Sequence, residues 1–122
     1  MNYESKLAIL KSYYPKKERL SFINHKLLNL KSVCYNEELH SDKIKDNSLL
    51  FLIEEKDRLE KELRDIEIAI GLIENDKSRY VLWYRFIENI PLNMISKSDI
   101  LSYSYSQIYR YYLNGLHDII LK

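Results

Sequence analysis

Three features of the sequence predict an all-α protein. Only two glycines and two prolines occur in 122 residues, 30% of residues are charged against 46% hydrophobic, and apolar side chains recur in steps of three and four. So few turn-forming residues leave little scope for sheets and favour helices with short connections. The expected architecture is a long antiparallel helical hairpin of coiled-coil type, followed by a small three-helix unit with a helix-turn-helix. The hairpin would occupy residues 1–76 as a dimerisation arm and the second unit residues 77–122. A chain of this length suits one compact domain, or a small domain carrying an arm, and leaves no room for a large catalytic core.

Taken in order, residues 3–13 place Tyr3, Leu7, Leu10 and Tyr14 on one side. They predict a short lid-like helix ended near Pro15, since the residue before a proline avoids the α region. From Lys16 to Cys34, the residues Leu20, Ile23, Leu27, Leu30 and Cys34 keep the spacing of a coiled-coil seam, with His25 on the opposite side. Tyr35 to Asn47 loses this period and gathers Asn36, Glu37, Glu38, His40, Asp42, Lys43 and Asp46, which predicts a polar loop.

The longest helix is expected from Ser48 to Asn75, capped by Asn47 or Ser48 and extending about 40 Å at roughly 1.5 Å per residue. Its seam reads Leu49, Leu52, Lys56, Leu59, Leu63, Ile66, Ile70 and Ile73. Glu54 with Arg58, Asp57 with Lys61 and Glu60 with Arg64 are acid-first pairs that mark a wet face. Leu50, Phe51, Ile53, Ile68, Ala69 and Leu72 widen the apolar stripe beyond a two-stranded seam. At about 25 cal/mol per Å² of apolar surface, leaving them in water forgoes several kcal/mol. A homodimer is therefore expected, with Leu52, Leu59, Leu63, Ile66 and Ile70 at its interface.

Beyond Asn75, Asp76 and Ser78 offer caps for an apolar helix over Tyr80 to Ile90 that carries Val81, Leu82, Trp83, Phe86 and Ile87. Pro91 punctuates the chain. Leu92 to Leu101, with Met94, Ile95, Ile100 and Leu101, predicts a short helix, and Ser102 and Tyr103 turn into the last one. That last helix starts after Ser104, whose hydroxyl can cap it, and carries Ile108, Tyr111, Leu116 and Ile119 at helical spacing. Gly115 is expected to let it pack closely on Trp83 or Phe86.

The outward residues of the first two turns would be Tyr105, Ser106, Gln107 and Arg110. They combine hydrogen-bonding heads, an aromatic ring and a fixed positive charge, the mix needed to read base edges and hold phosphates. Arg79, Arg85 and Lys97 would contact or steer toward phosphate, while Ile108, Leu116 and Trp83 form the core. Tyr103, Tyr105, Tyr109, Tyr111 and Tyr112 crowd this region, and tyrosine suits both nucleic acid and protein interfaces. Residues 77–122 hold six basic and three acidic residues, a surplus of three that leaves −2 for the first 76. This asymmetry fits a polyanion partner, and a dimer would double it.

Other chemistry finds little footing. His25, His40 and His117 are scattered, with no His or Cys at metal-ligand spacing, and Gly71 and Gly115 are isolated rather than part of a phosphate loop. Paired acids such as Glu37-Glu38, Glu54-Glu55 and Asp65-Glu67 read as solvated faces. No enzymatic activity, catalytic residue, metal or cofactor is expected. The single Cys34 cannot form an intrachain disulfide, and no run of about eighteen apolar residues suggests a membrane span. A soluble cytoplasmic protein without a membrane partner is expected.

Leu82, Arg85-Phe86-Ile87, Ile95, Tyr103-Ser104 with Ile108 and Arg110, and Gly115-Leu116 together resemble the phage late-transcription regulators of the ArpU and RinA kind. The C-terminal part of those regulators is similar to region 4 of sigma factors, and two long helices with a polar loop precede it, as residues 16–75 do here. The resemblance implies a DNA-binding transcriptional regulator of phage or mobile-element genes, acting in the cytoplasm of a bacterial host. Its partners would be double-stranded DNA, a second copy, and RNA polymerase or another phage or host regulatory protein. Two departures stand out. Asn89 replaces the glycine that ends the first helix of the unit, a substitution compatible with left-handed backbone. Ser96-Lys97-Ser98-Asp99 replaces a small residue and a leucine and lengthens the connection before Tyr103. A degenerate motif of this kind also fits a small helical protein-interaction factor that binds and modulates a transcription or defence protein.

Overall fold

A computed structural model describes residues 2–36, 47–97 and 103–121, with side chains described for 2–29, 49–97 and 103–121. Every regular element among them is a helix: α1 (Tyr3–Lys11), α2 (Tyr13–Asn36), α3 (Asn47–Gly71), α4 (Asp76–Leu82) running on into a π-helical turn (Trp83–Ile87), α5 (Leu92–Lys97) and α6 (Tyr105–Asp118). The expected all-α class is what the protein adopts. The expected loop over Tyr35 to Asn47 is shorter at its ends, where Tyr35 and Asn36 belong to α2 and Asn47 to α3. Its residues 37–46 and the end of the expected helix at Ile100 and Leu101 lie outside the described residues, as do the side chains of Asn47 and Ser48 as caps and of Leu30 and Cys34 in the seam.

The chain divides into two compact units, residues 1–14 with 64–122, and residues 15–63. This division differs from the expected boundary at residue 76, and specific side chains show why. In the first unit, the Lys6 ammonium donates to the carbonyls of Leu116 and His117 at 3.1 and 2.9 Å. The Tyr13 hydroxyl donates to Glu67 at 2.8 Å. Leu10, Tyr13, Ile66 and Ile70 are all buried. The first helix and the end of α3 thus belong with the C-terminal helices, because their apolar faces are spent there.

Local sequence explains where each helix of this unit begins and ends. The Asn2 side chain accepts from the Ser5 N–H and caps α1, and the helix stops at Ser12 rather than at Pro15. Pro15 sits instead in the first turn of α2, where its missing N–H costs no intrahelical bond. Asn75, not Asp76 or Ser78, caps α4 by accepting from the Ser78 N–H at 3.0 Å. The π-helical turn closes with a bond from Glu88 N–H to the Trp83 carbonyl, and Ile90 N–H reaches back to Tyr84. Asn89, at φ 56°, then reverses the chain in the left-handed region that asparagine tolerates. Pro91 opens α5, its carbonyl accepting from Met94 and Ile95.

The core of this unit gathers Val81, Leu82, Phe86, Ile87, Ile95, Ile108, Leu116 and Ile119 around α6. Helix α6 packs on α4, α5 and α1. Three expectations about this core change. Trp83 is only half-buried, Tyr112 rather than Tyr111 is the α6 tyrosine turned into the core, and the atoms nearest Gly115 belong to Leu82 and Ser78 rather than to Trp83 or Phe86. A Cβ at Gly115 would lie 2.9 Å from Leu82 Cγ and Cδ1 and 3.4 Å from Ser78 Cβ, so α6 crosses α4 on its small residues.

In the unit of residues 15–63, Lys16 pairs with Glu62 at 3.1 Å, and Arg19 meets Glu55 through two parallel bonds of 2.8 and 3.1 Å. As numbers rise along α2 they fall along α3, so these stretches are antiparallel. Ile23, Leu59 and Leu63 are buried here. Along α3, Arg58 reaches forward to Glu62 at 3.7 Å, a pairing different from the expected one with Glu54. Most of the expected dimer seam is covered within the chain itself. Leu59, Leu63, Ile66 and Ile70 are between 0% and 7% exposed in the single chain, and Leu52 is half-buried, so they leave little surface for a second copy. Among the described residues, the large apolar side chains this unit presents to solvent are Phe22, Leu28, Leu50, Phe51 and Ile53.

Candidate nucleic-acid interface

The outer surface of α6 is set by the way the helix starts. The Ser104 hydroxyl accepts from the Gln107 N–H, and the Gln107 side-chain carbonyl accepts from the Ser104 N–H at 3.0 Å, a complete capping box. From that fixed start, the burial pattern divides the helix lengthwise. Ile108, Tyr112, Gly115 and Leu116 face inward. Outside run two adjacent rows, each repeating every four residues. Tyr105, Tyr109 and Leu113 form an aromatic and apolar row; Ser106, Arg110 and Asn114 form a polar one.

Rings extend the apolar row into the core. Tyr105 and Tyr109 stack with centroids 6.3 Å apart and planes 14° apart, Tyr109 stacks on Tyr112 at 6.1 Å, and Tyr112 on Phe86 at 6.0 Å. Burial, with the Tyr3 phenol alongside, pushes the Tyr112 hydroxyl up to about 12. On the other flank of α6, Tyr103 and Tyr111 meet edge to face at 5.5 Å, and the Lys77 ammonium lies 5.2 and 5.5 Å from their ring centroids. Bonding to the Tyr111 and Tyr103 phenols holds the Lys77 pKa above its ordinary value. This clamp ties the residue just before the capping serine to the first turn of α4.

The expected site residues fare differently from one another. Tyr105, Ser106 and Arg110 are exposed and lie on the outer rows, as the spacing predicts. Gln107 is exposed, but its carbonyl is held by the capping box, so it is not the free reading group expected of it. Arg79 is also committed inside the protein: it donates to the Ile73 carbonyl at 3.0 Å and to Asp76 at 2.6 Å, and lies over the Tyr80 ring. Hydrogen bonding to Asp76 raises its pKa. Arg85 lies 5.4 Å from the Phe86 ring centroid, half-buried, and Lys97 is exposed at the end of α5. All seven residues fall in the unit formed by 1–14 and 64–122.

Sequence reasoning missed Tyr109, Leu113 and Asn114 as outward residues. The signal was present, because each lies four or eight positions after Tyr105 or Ser106. Elsewhere, His25 and His117 are exposed, and His117 meets the neighbouring Asp118 at 3.1 Å. Among the described residues, no cluster of three His, Cys, Asp or Glu side chains is placed to hold a metal ion. None of the described helices is long and apolar enough to cross a membrane. Comparison with protein families, curated proteins and solved structures finds no match to this chain.

Proposed function

We propose that this chain is a DNA-binding transcriptional regulator that presents α6 as the recognition helix of a helix-turn-helix formed by α4, α5 and α6. One observation carries the reading. A capped helix packed on two others leaves Tyr105, Ser106, Tyr109, Arg110 and Asn114 exposed, and no acidic residue occurs from Tyr103 to His117. A major groove lined by base-edge donors and acceptors and flanked by phosphates suits such a surface. The resemblance to phage late-transcription regulators points the same way, with the setting a bacterial cytoplasm and RNA polymerase or a phage or host regulator as further partner.

The unit holding α6 has nine basic and eight acidic residues, a net charge of only +1. Affinity must therefore come from the local pattern and from two copies acting together. In this reading residues 15–63 form part of a helical hairpin, and the exposed Leu50, Phe51 and Ile53, rather than the buried seam, join the protomers. The same near-neutral charge favours a second reading, a protein-interaction factor that uses the tyrosine face against a transcription or defence protein.

The test is selection of duplexes by the purified full chain at two salt concentrations, with its mass in solution. A DNA regulator should retain particular sequences, and log affinity should fall with log salt. Arg110→Ala should cost about 1 to 3 kcal/mol and relax preference at one base pair. Lys97→Ala should weaken all duplexes alike and flatten the salt slope. Absence of salt-sensitive binding, with a stoichiometric protein recovered from nuclease-treated lysate, would instead support the interaction factor.

A further inference from the structure

Resting on the DNA-binding reading, we propose that the row Tyr105, Tyr109 and Leu113 reads the C5-methyl groups of thymines, so that recognition by α6 depends on thymine. The first turn of α6 contains one amide side chain, Gln107. A free amide would grip adenine through two bonds, but here its carbonyl accepts from the Ser104 N–H at 3.0 Å. Discrimination at this end of the helix falls to other groups. Beside the polar row of Ser106, Arg110 and Asn114, these include Tyr105, Tyr109 and Leu113, 51%, 45% and 38% exposed and one helical turn apart. Of the base-edge groups in a major groove, the thymine methyl is the apolar one.

The row is also preorganised. Tyr109 rests on Tyr112, which rests on Phe86, and those two inner rings are 9% and 4% exposed. Outer rings backed in this way lose little freedom on contact, so the methyl burial is not spent on ordering them. Duplex DNA rather than an apolar peptide is the occupant indicated by charge. Arg110 lies in the row alongside, one residue on from Tyr109, and the helix carries no acid before Asp118. A contact face of this composition repels no phosphate.

The experiment compares the selected duplex with the same duplex in which deoxyuridine replaces thymidine. Pairing and charge are unchanged, and only the methyl groups are lost. Binding should weaken about fourfold for each methyl removed from contact, the effect of one buried carbon group. Tyr109→Ser and Tyr105→Ser, checked for helical content by circular dichroism, should each reduce the difference between the two duplexes. Equal, salt-sensitive affinity for both duplexes would overturn the methyl-reading role and leave the DNA-binding function standing. No salt-sensitive binding to either duplex would overturn both.

Discussion

At Gly115 and Gly71 the same residue type has opposite value. A Cβ at Gly115 would press on Leu82, which is fully buried, whereas a Cβ at Gly71 meets nothing within 4 Å. Gly115→Ala should lose about 1 to 3 kcal/mol through overpacking, less the helix-propensity gain. Gly71→Ala should gain about 0.5 to 1 kcal/mol. Urea unfolding of the two variants checks both signs. The buried phenols give a further expectation. Burial above all, then its bond to Glu67, raises the Tyr13 pKa, and burial raises that of Tyr112 to about 12. Each neutral phenol therefore contributes its full stability below the ordinary value of 10. That contribution is lost as pH rises through the raised folded value. Tyr13→Phe should lower stability by about 0.5 to 1.5 kcal/mol at neutral pH and flatten the alkaline part of a stability profile. Close approach at Gly115 was legible in the sequence, but its partners were not, since only tertiary geometry decides between Trp83, Phe86 and Leu82.

Among the elements, α6 is the best specified by sequence, because cap, period and terminus agree. Ser104→Ala should destabilise the protein by about 1 kcal/mol, seen in thermal unfolding. Gln107→Ala should act in the same direction while leaving the order of preferred duplexes unchanged, which a binding panel would show. Asn89 was equally legible, because asparagine accepts left-handed backbone, and the chain adopts φ 56° there. Boundaries elsewhere were harder. Pro15 reads locally as a stop, yet in a first turn it is compatible with helix, and the true break at Ser12 has no proline or glycine to mark it. The apolar seam of α3 is legible in its spacing, whereas the surface that covers it is not. Periodicity shows which side is buried and says nothing of which chain buries it.

For the molecule as a whole, the division between units could not be read along the chain, since it joins residues 1–14 to residues 64–122. Charge counts and hydrophobic spacing are local, whereas the bonds from Lys6 to Leu116 and His117 connect opposite ends of the sequence. Deleting residues 1–11 should uncover carbonyls at the end of α6 and remove buried Leu10. That loss should exceed about 2 kcal/mol, measured by denaturation, and under the proposed DNA-binding function it should also weaken retention in the same duplex selection. Lys6→Met, which keeps the apolar stem, should cost far less, about 0.3 to 1 kcal/mol at an exposed helix terminus.

The tie between Lys6 and α6 has a consequence for synthesis. Helix α1 can close onto α6 only after the 110 positions that separate Lys6 from Leu116 have also emerged from the ribosome. Until then the Lys6 ammonium lacks the two carbonyls it bonds in the finished fold, and the packing of α1 on α6 is still to form. Production should accordingly reward slower elongation, and a bulky insertion beside α1 should hinder that late closure.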